Sequence, residues 1–81
     1  MVVVYVIRCR VSGYRYVGIT ADLARRLKEH NRGGSVSTRG KGPFEVVLEE
    51  VYETYGEARQ REKFLKSGVG RRWLEEEQGK D

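Results

Sequence analysis

An α+β domain with its elements in the order β-β-α-β-α is what the sequence predicts, and three observations carry the prediction. Two β-branched and aromatic runs, Val2 to Val11 and Tyr14 to Ile19, flank a Ser12-Gly13 turn. A helical pattern follows, and a third strand-like run, Phe44 to Tyr52, precedes a T-x-x-E capping signal at Thr54 and Glu57. The chain has 81 residues, which suits one domain, residues 1–81, since a domain takes about 100–200 residues or somewhat fewer.

A two-residue turn at Ser12-Gly13 would set Val11 opposite Tyr14, Cys9 opposite Tyr16 and Ile7 opposite Gly18. One face of the hairpin then carries Tyr5, Ile7, Cys9, Tyr14, Tyr16 and Gly18. Thr20 is placed to cap a helix over about 21–31, with Asp22 in the first turn and Leu23 and Leu27 marking the buried direction. At about 100° per residue, His30 falls close to Leu23, and Arg26 lies at the edge of the stripe. The segment 32–43 is a glycine-rich basic loop. Glutamates interrupt the third strand, which predicts an edge position. A second helix is expected over about 55–67, stopping near Gly68. Arg71 to Glu77 adds a helical turn or two around Trp73 and Leu74.

Charge is uneven along the chain. Residues 1–41 carry nine Lys and Arg against Asp22 and Glu29, whereas the remainder is net acidic. Such a basic half suggests a polyanionic partner, nucleic acid before an anionic membrane. The longest apolar run, Val2 to Ile7, is too short to span a bilayer, and no signal-peptide layout surrounds it, so a cytoplasmic protein is expected. Cys9 is the lone cysteine, which leaves no intramolecular disulfide and no Cys/His zinc cluster. No feature of the sequence indicates a protein partner.

Glu62 is the clearest local inconsistency. It sits in the middle of the face that Tyr55, Ala58 and Leu65 define on the second helix. A carboxylate pointing inward in a domain this small needs a cation to meet it. The partner is either an arginine such as Arg26 or a divalent ion, for which a hard oxygen anion with room for water suits Mg²⁺. Tyr5 and Tyr16 taken alone read as core aromatics, Arg26 as a surface residue paired with Asp22, and His30 as a packed or capping histidine. Together they set a guanidinium and an imidazole beside two phenols, which suits a phosphodiester.

Those residues also carry a family resemblance. Val3-Val4-Tyr5, Tyr16-Val17-Gly18, the helix from Asp22 to Asn31 with Arg26 and His30, Ser37-Thr38-Arg39-Gly40, and Arg61-Glu62-Lys63 together resemble the GIY-YIG nuclease superfamily. Leu65-Lys66-Ser67-Gly68 with Arg71-Arg72 is similar to its small stand-alone members. The resemblance implies a three-stranded antiparallel sheet flanked by helices, and a metal-dependent endonuclease. It implies that Tyr5 activates water, that Tyr16 and Arg26 position and neutralise the scissile phosphate, and that Glu62 holds one Mg²⁺ or Mn²⁺ ion. His30 stands where some members have an active-site histidine. Ile19 stands where some members have a lysine, so any tuning of the base falls to His30 or Arg26.

The expected substrate is DNA, with RNA left open. Arg8, Arg10 and Arg15 on the hairpin, with Arg32, Arg39 and Lys41 in the glycine-rich loop, are the expected phosphate contacts. No major-groove recognition helix is visible, which favours cutting directed by structure or damage, as in DNA repair, over cutting directed by sequence. The alternative is a nucleic-acid-binding module of the same fold without turnover.

Overall fold

A computed structural model of the chain describes residues 1–35 and 38–78. Its elements are β1 (Val2–Cys9), β2 (Arg15–Thr20), α1 (Leu23–Asn31), β3 (Phe44–Tyr52), α2 (Tyr55–Lys66) and α3 (Gly68–Gln78). The three strands form one antiparallel sheet in the order β2-β1-β3. The expected order of elements holds, with α3 added as an eleven-residue helix where only a turn or two was expected. β3 lies at an edge, as its glutamates suggest.

Each face of the sheet has its own core. Val4, Val6 and Val17 pack with Ala58, Leu65 and Leu74 from α2 and α3. Tyr5, Ile7, Cys9 and Phe44 pack with Leu23 and Leu27 from α1 and with Tyr14 and Tyr16. Strand alternation produces this division, because successive side chains point to opposite faces. β3 reads Val46-Val47-Leu48, which breaks alternation, and the pairing explains it. Val6 faces Leu48 while Ile7 faces Val46, so Val47 is an extra residue at a bulge. The bulge sends Phe44 and Val46 to the α1 face and Val47 and Leu48 to the other.

The hairpin register differs from the expected one. Tyr5 pairs with Gly18 and Ile7 with Tyr16, because β1 ends at Cys9 and the connection runs from residue 10 to residue 14. Gly13 donates to the Cys9 carbonyl at 3.0 Å and adopts φ +79°, which a glycine takes at no steric cost. The displacement is two residues, so it leaves every side chain on its expected face.

The start of α1 also differs. Asp22, not Thr20, is the N-cap, and its side chain accepts from the Arg25 N–H at 3.2 Å. Thr20 Oγ1 instead accepts from the Asp22 N–H at 3.1 Å, fixing the turn that leads into the cap. At the other end Asn31 clamps β3, its Oδ1 accepting from the Phe44 N–H at 2.7 Å. This contact seats α1 across the sheet. α2 starts with the expected capping box, in which Thr54 and Glu57 satisfy each other's backbone N–H groups.

Candidate active site

On the α1 face the sheet brings two phenols together. Tyr5 from β1 and Tyr16 from β2 have ring centroids 6.3 Å apart. Gly18, paired with Tyr5, makes this approach possible. A Cβ at Gly18 would lie 2.5 Å from Tyr5 Oη and 3.0 Å from Tyr16 Cε1. Gly18→Ala is therefore expected to push the phenols apart and to cost about 1–3 kcal/mol of stability, as overpacking of a core does. Denaturant unfolding and tyrosine-ring NMR contacts check it.

α1 lays Arg26 and His30 over the pair. They are four residues apart and so share a helix face. His30 Nε2 is 2.8 Å from Tyr5 Oη, and Nδ1 is 2.7 Å from Thr38 Oγ1. The imidazole ring also lies 4.9 Å from the Tyr16 ring, with the edge of Phe44 against it at 6.2 Å. His30 is 1% exposed and Thr38 is fully buried. Arg26 interacts with the Tyr5 phenol and also with that of Tyr16, and it pairs with Glu29 at 3.6 Å instead of Asp22.

This environment sets the protonation states. Burial lowers the His30 pKa, and the Arg26 charge lowers it further against Glu29, so the imidazole is neutral near pH 7. Burial raises the Tyr5 pKa more than the Arg26 hydrogen bond lowers it, so the resting side chain is a phenol. The Arg26 pKa is raised, chiefly by its interaction with Tyr5. Tyr5 is 1% exposed whereas Tyr16 and Arg26 are half-buried, so the latter two form the accessible part of the cluster.

Glu62 is buried, as its position in the sequence predicts, but its cations are Arg59 and Lys66 from its own helix and not Arg26. Lys66 Nζ donates to Oε2 at 3.0 Å, and Arg59 donates to Oε1. Burial pushes the carboxyl pKa up, but these two bonds and charges bring it below the usual range. Glu62 belongs to α2, whose core residues pack on the sheet face away from the phenols. A cavity of roughly 480 Å³ beside β2 is lined by Tyr16, Val17, Leu65, Lys66 and Arg71 among others.

The donor chemistry of Glu62 fits a divalent ion held by one protein carboxylate, with water and phosphate completing its shell. It is ionised, and its caps are half-exposed side chains that can be exchanged. Among the described residues no group of three or more His, Cys, Asp or Glu could hold a metal ion.

The six expected phosphate contacts do not share one surface. Arg8 and Arg15 are paired with each other on the face away from the tyrosines, and Arg15 bonds Glu75 at 3.3 Å. Arg10 bonds Glu45 at 2.9 Å. Arg32, Arg39 and Lys41 lie on the α1 side, where Arg39 donates to the Gly33 carbonyl and Lys41 stands 4.4 Å from the Tyr14 ring centre. Of the Ser37-Thr38-Arg39-Gly40 segment, Ser37 lies outside the described residues. Thr38 carries no pattern that sequence reasoning could have tied to the site beyond its place in that segment.

No described helix is long and apolar enough to cross a membrane. Residues 1–75 match the family described as the GIY-YIG catalytic domain. A UPF0213 protein of Clostridium perfringens is 41% identical over 64 residues, covering 78% of this chain and 68% of its own length. A UPF0213 protein of Staphylococcus aureus is 38% identical over 65 residues, covering 79% and 78%. The solution NMR structure of a UPF0213 protein from Bacillus halodurans is similar with a TM-score of 0.57 and 34% identity, covering 99% of this chain and 88% of that one. Because the family match runs over residues 1–75 and so takes in both tyrosines, Gly18, Arg26, His30 and Glu62, the chain belongs to the GIY-YIG nuclease family.

Proposed function

We propose that the protein is a metal-dependent endonuclease that hydrolyses phosphodiester bonds in DNA, directed by the shape or damage of the substrate. The observation that carries the reading is the convergence of Tyr5, Tyr16, Arg26 and His30 on one sheet face around Gly18. Arg26 neutralises a non-bridging oxygen and Tyr16 orients the phosphate. Drawing the guanidinium onto the phosphate uncovers the Tyr5 hydroxyl, which is otherwise buried. Water then attacks phosphorus in line. Its proton passes to Tyr5 as the phenol proton passes to His30 Nε2, and the P–O bond breaks with its electron pair on the leaving oxygen, which takes a proton from solvent water. A divalent ion bound at Glu62 would stabilise charge on the phosphate and the leaving oxygen. The buried imidazole is thus the final base, and its lowered pKa keeps it unprotonated and ready to accept at neutral pH. The phenol relays.

Arg32, Arg39 and Lys41 are the cations that would follow the strand on the α1 side, and RNA offers them the same phosphates. Arg8, Arg10 and Arg15 would contact a strand only where it wraps the hairpin. The test is incubation with nicked, flapped, branched and plain duplex substrates, with Mg²⁺ or Mn²⁺ and with chelator. Metal-dependent cutting that favours non-duplex shapes is expected. Glu62→Gln is expected to drop cutting to background while nucleic-acid binding persists, and equal cutting by variant and parent would remove the metal role from Glu62.

A binding module without turnover is the second reading, favoured by the two cations that already occupy the Glu62 oxygens. It predicts binding that weakens with salt and no cutting with any metal.

A further inference from the structure

Thr38 lies in the glycine-rich loop between α1 and β3, fully buried, with its hydroxyl 2.7 Å from His30 Nδ1. A neutral imidazole has one N–H and one lone pair, so its two hydroxyl neighbours must play opposite roles. Arg26 can only donate, and it faces the Tyr5 oxygen. With Arg26 donating to its oxygen, the Tyr5 proton is free to point at His30 Nε2, 2.8 Å away. A phenol is also a better proton donor than an aliphatic hydroxyl, and the aliphatic oxygen is the better acceptor. The hydrogen-bond chain is then Tyr5 O–H donating to Nε2, and Nδ1–H donating to Thr38 Oγ1.

We propose that Thr38 is a positioning residue that holds His30 in its Nδ1–H tautomer, presenting the Nε2 lone pair to Tyr5. The inference deepens the nuclease reading and rests on it for its consequence, although the tautomer itself does not. A neutral partner suits this place. A carboxylate there would hold the imidazole charged and remove the lone pair, whereas the threonine oxygen orients the ring and leaves it neutral. The titratable and charged groups facing the imidazole are Tyr5 from β1, Tyr16 from β2, and Arg26 and Glu29 from α1, while β3 contributes Phe44. Thr38 is also fixed by its backbone. Its N–H donates to Ser35 O at 3.2 Å, and its carbonyl accepts from the Lys41 N–H at 3.1 Å.

The chain has a single histidine, so its imidazole nitrogens can be observed without ambiguity in the full-length protein. Nitrogen-15 NMR at neutral pH is expected to show a protonated Nδ1 and a bare Nε2. Thr38→Val is expected to move the population toward the Nε2–H form, and Thr38→Ser is expected to restore the parent signals. In cleavage, Thr38→Val should lower kcat about tenfold with KM unchanged, the effect of one oriented hydrogen bond, and should displace the acid limb of the pH profile. An Nε2–H tautomer in the parent overturns the proposal whatever the variants do. So does a parent-like tautomer in a folded Thr38→Val. Absence of cutting by the parent with every metal would instead overturn the nuclease reading and leave the tautomer assignment standing.

Discussion

Gly70→Ala is expected to destabilise the fold by about 3 kcal/mol, the upper range for forcing an atom into a packed site. A Cβ at Gly70 would lie 1.9 Å from the Phe64 carbonyl oxygen, 2.7 Å from its carbon and 2.8 Å from Leu65 Cα. All three are backbone atoms of α2, so no side chain can swing aside. The crossing is also tied by Ser67, whose hydroxyl donates to Phe64 O at 2.6 Å and accepts from the Gly70 N–H at 3.1 Å. The new methyl group must therefore push α3 off α2, and Leu74 leaves the core with it. Denaturant unfolding should show a lower midpoint. Gly68→Ala is the control, because nothing lies within 4 Å of its Cβ. Equal midpoints for Gly70→Ala and the parent would refute the contact.

Tyr5→Phe is expected to lower the cleavage rate about 10²–10⁴-fold, the usual contribution of a positioned proton transfer. The ring still fills its place beside Tyr16 and Gly18, so the sheet should keep its form. The lost hydroxyl leaves the buried Nε2 of His30 without its partner, which costs about 1–3 kcal/mol. Single-turnover rates on a nicked or flapped substrate, read beside a melting curve, separate the two effects. A variant that melts earlier but cuts at the parental rate would take Tyr5 out of the chemistry.

Much of the fold was legible because alternation and helical period are local. Tyr5 and Tyr16 fall on one face in any register that slips by two, so the wrong loop length did no harm to the pairing of faces. Arg26 and His30 share a helix face by spacing alone. The inward placement of Glu62 followed from Ala58 and Leu65. Its partners did not, although Arg59 and Lys66 stand at the three- and four-residue spacings where helix neighbours meet.

The misses have physical causes. Thr20 and Asp22 are both good caps, and only the backbone at Asp22 decides between them. α3 was underestimated because Gly68 read as a stop, whereas α3 begins there and Gly70 is the point where two helix backbones touch. The Val47 bulge hides in the apolar run Val46-Val47-Leu48, where composition does not show which face each residue takes. Thr38 acts through one hydroxyl in a loop, and no periodicity marks it.

The two-sided sheet has a consequence for how this molecule tolerates change. Tyr5, Tyr16, Gly18, Arg26, His30, Thr38 and Phe44 all come from the first 44 residues, while the opposite side is upholstered by residues from 55 onward. Damage to the rear should scale with the fraction of molecules unfolded and be rescued by cooling or by a stabilising osmolyte. Damage to the front should persist in molecules that are fully native. Glu62 stands with the rear, held by two cations of its own helix, and only the proposed metal role would join it to the front.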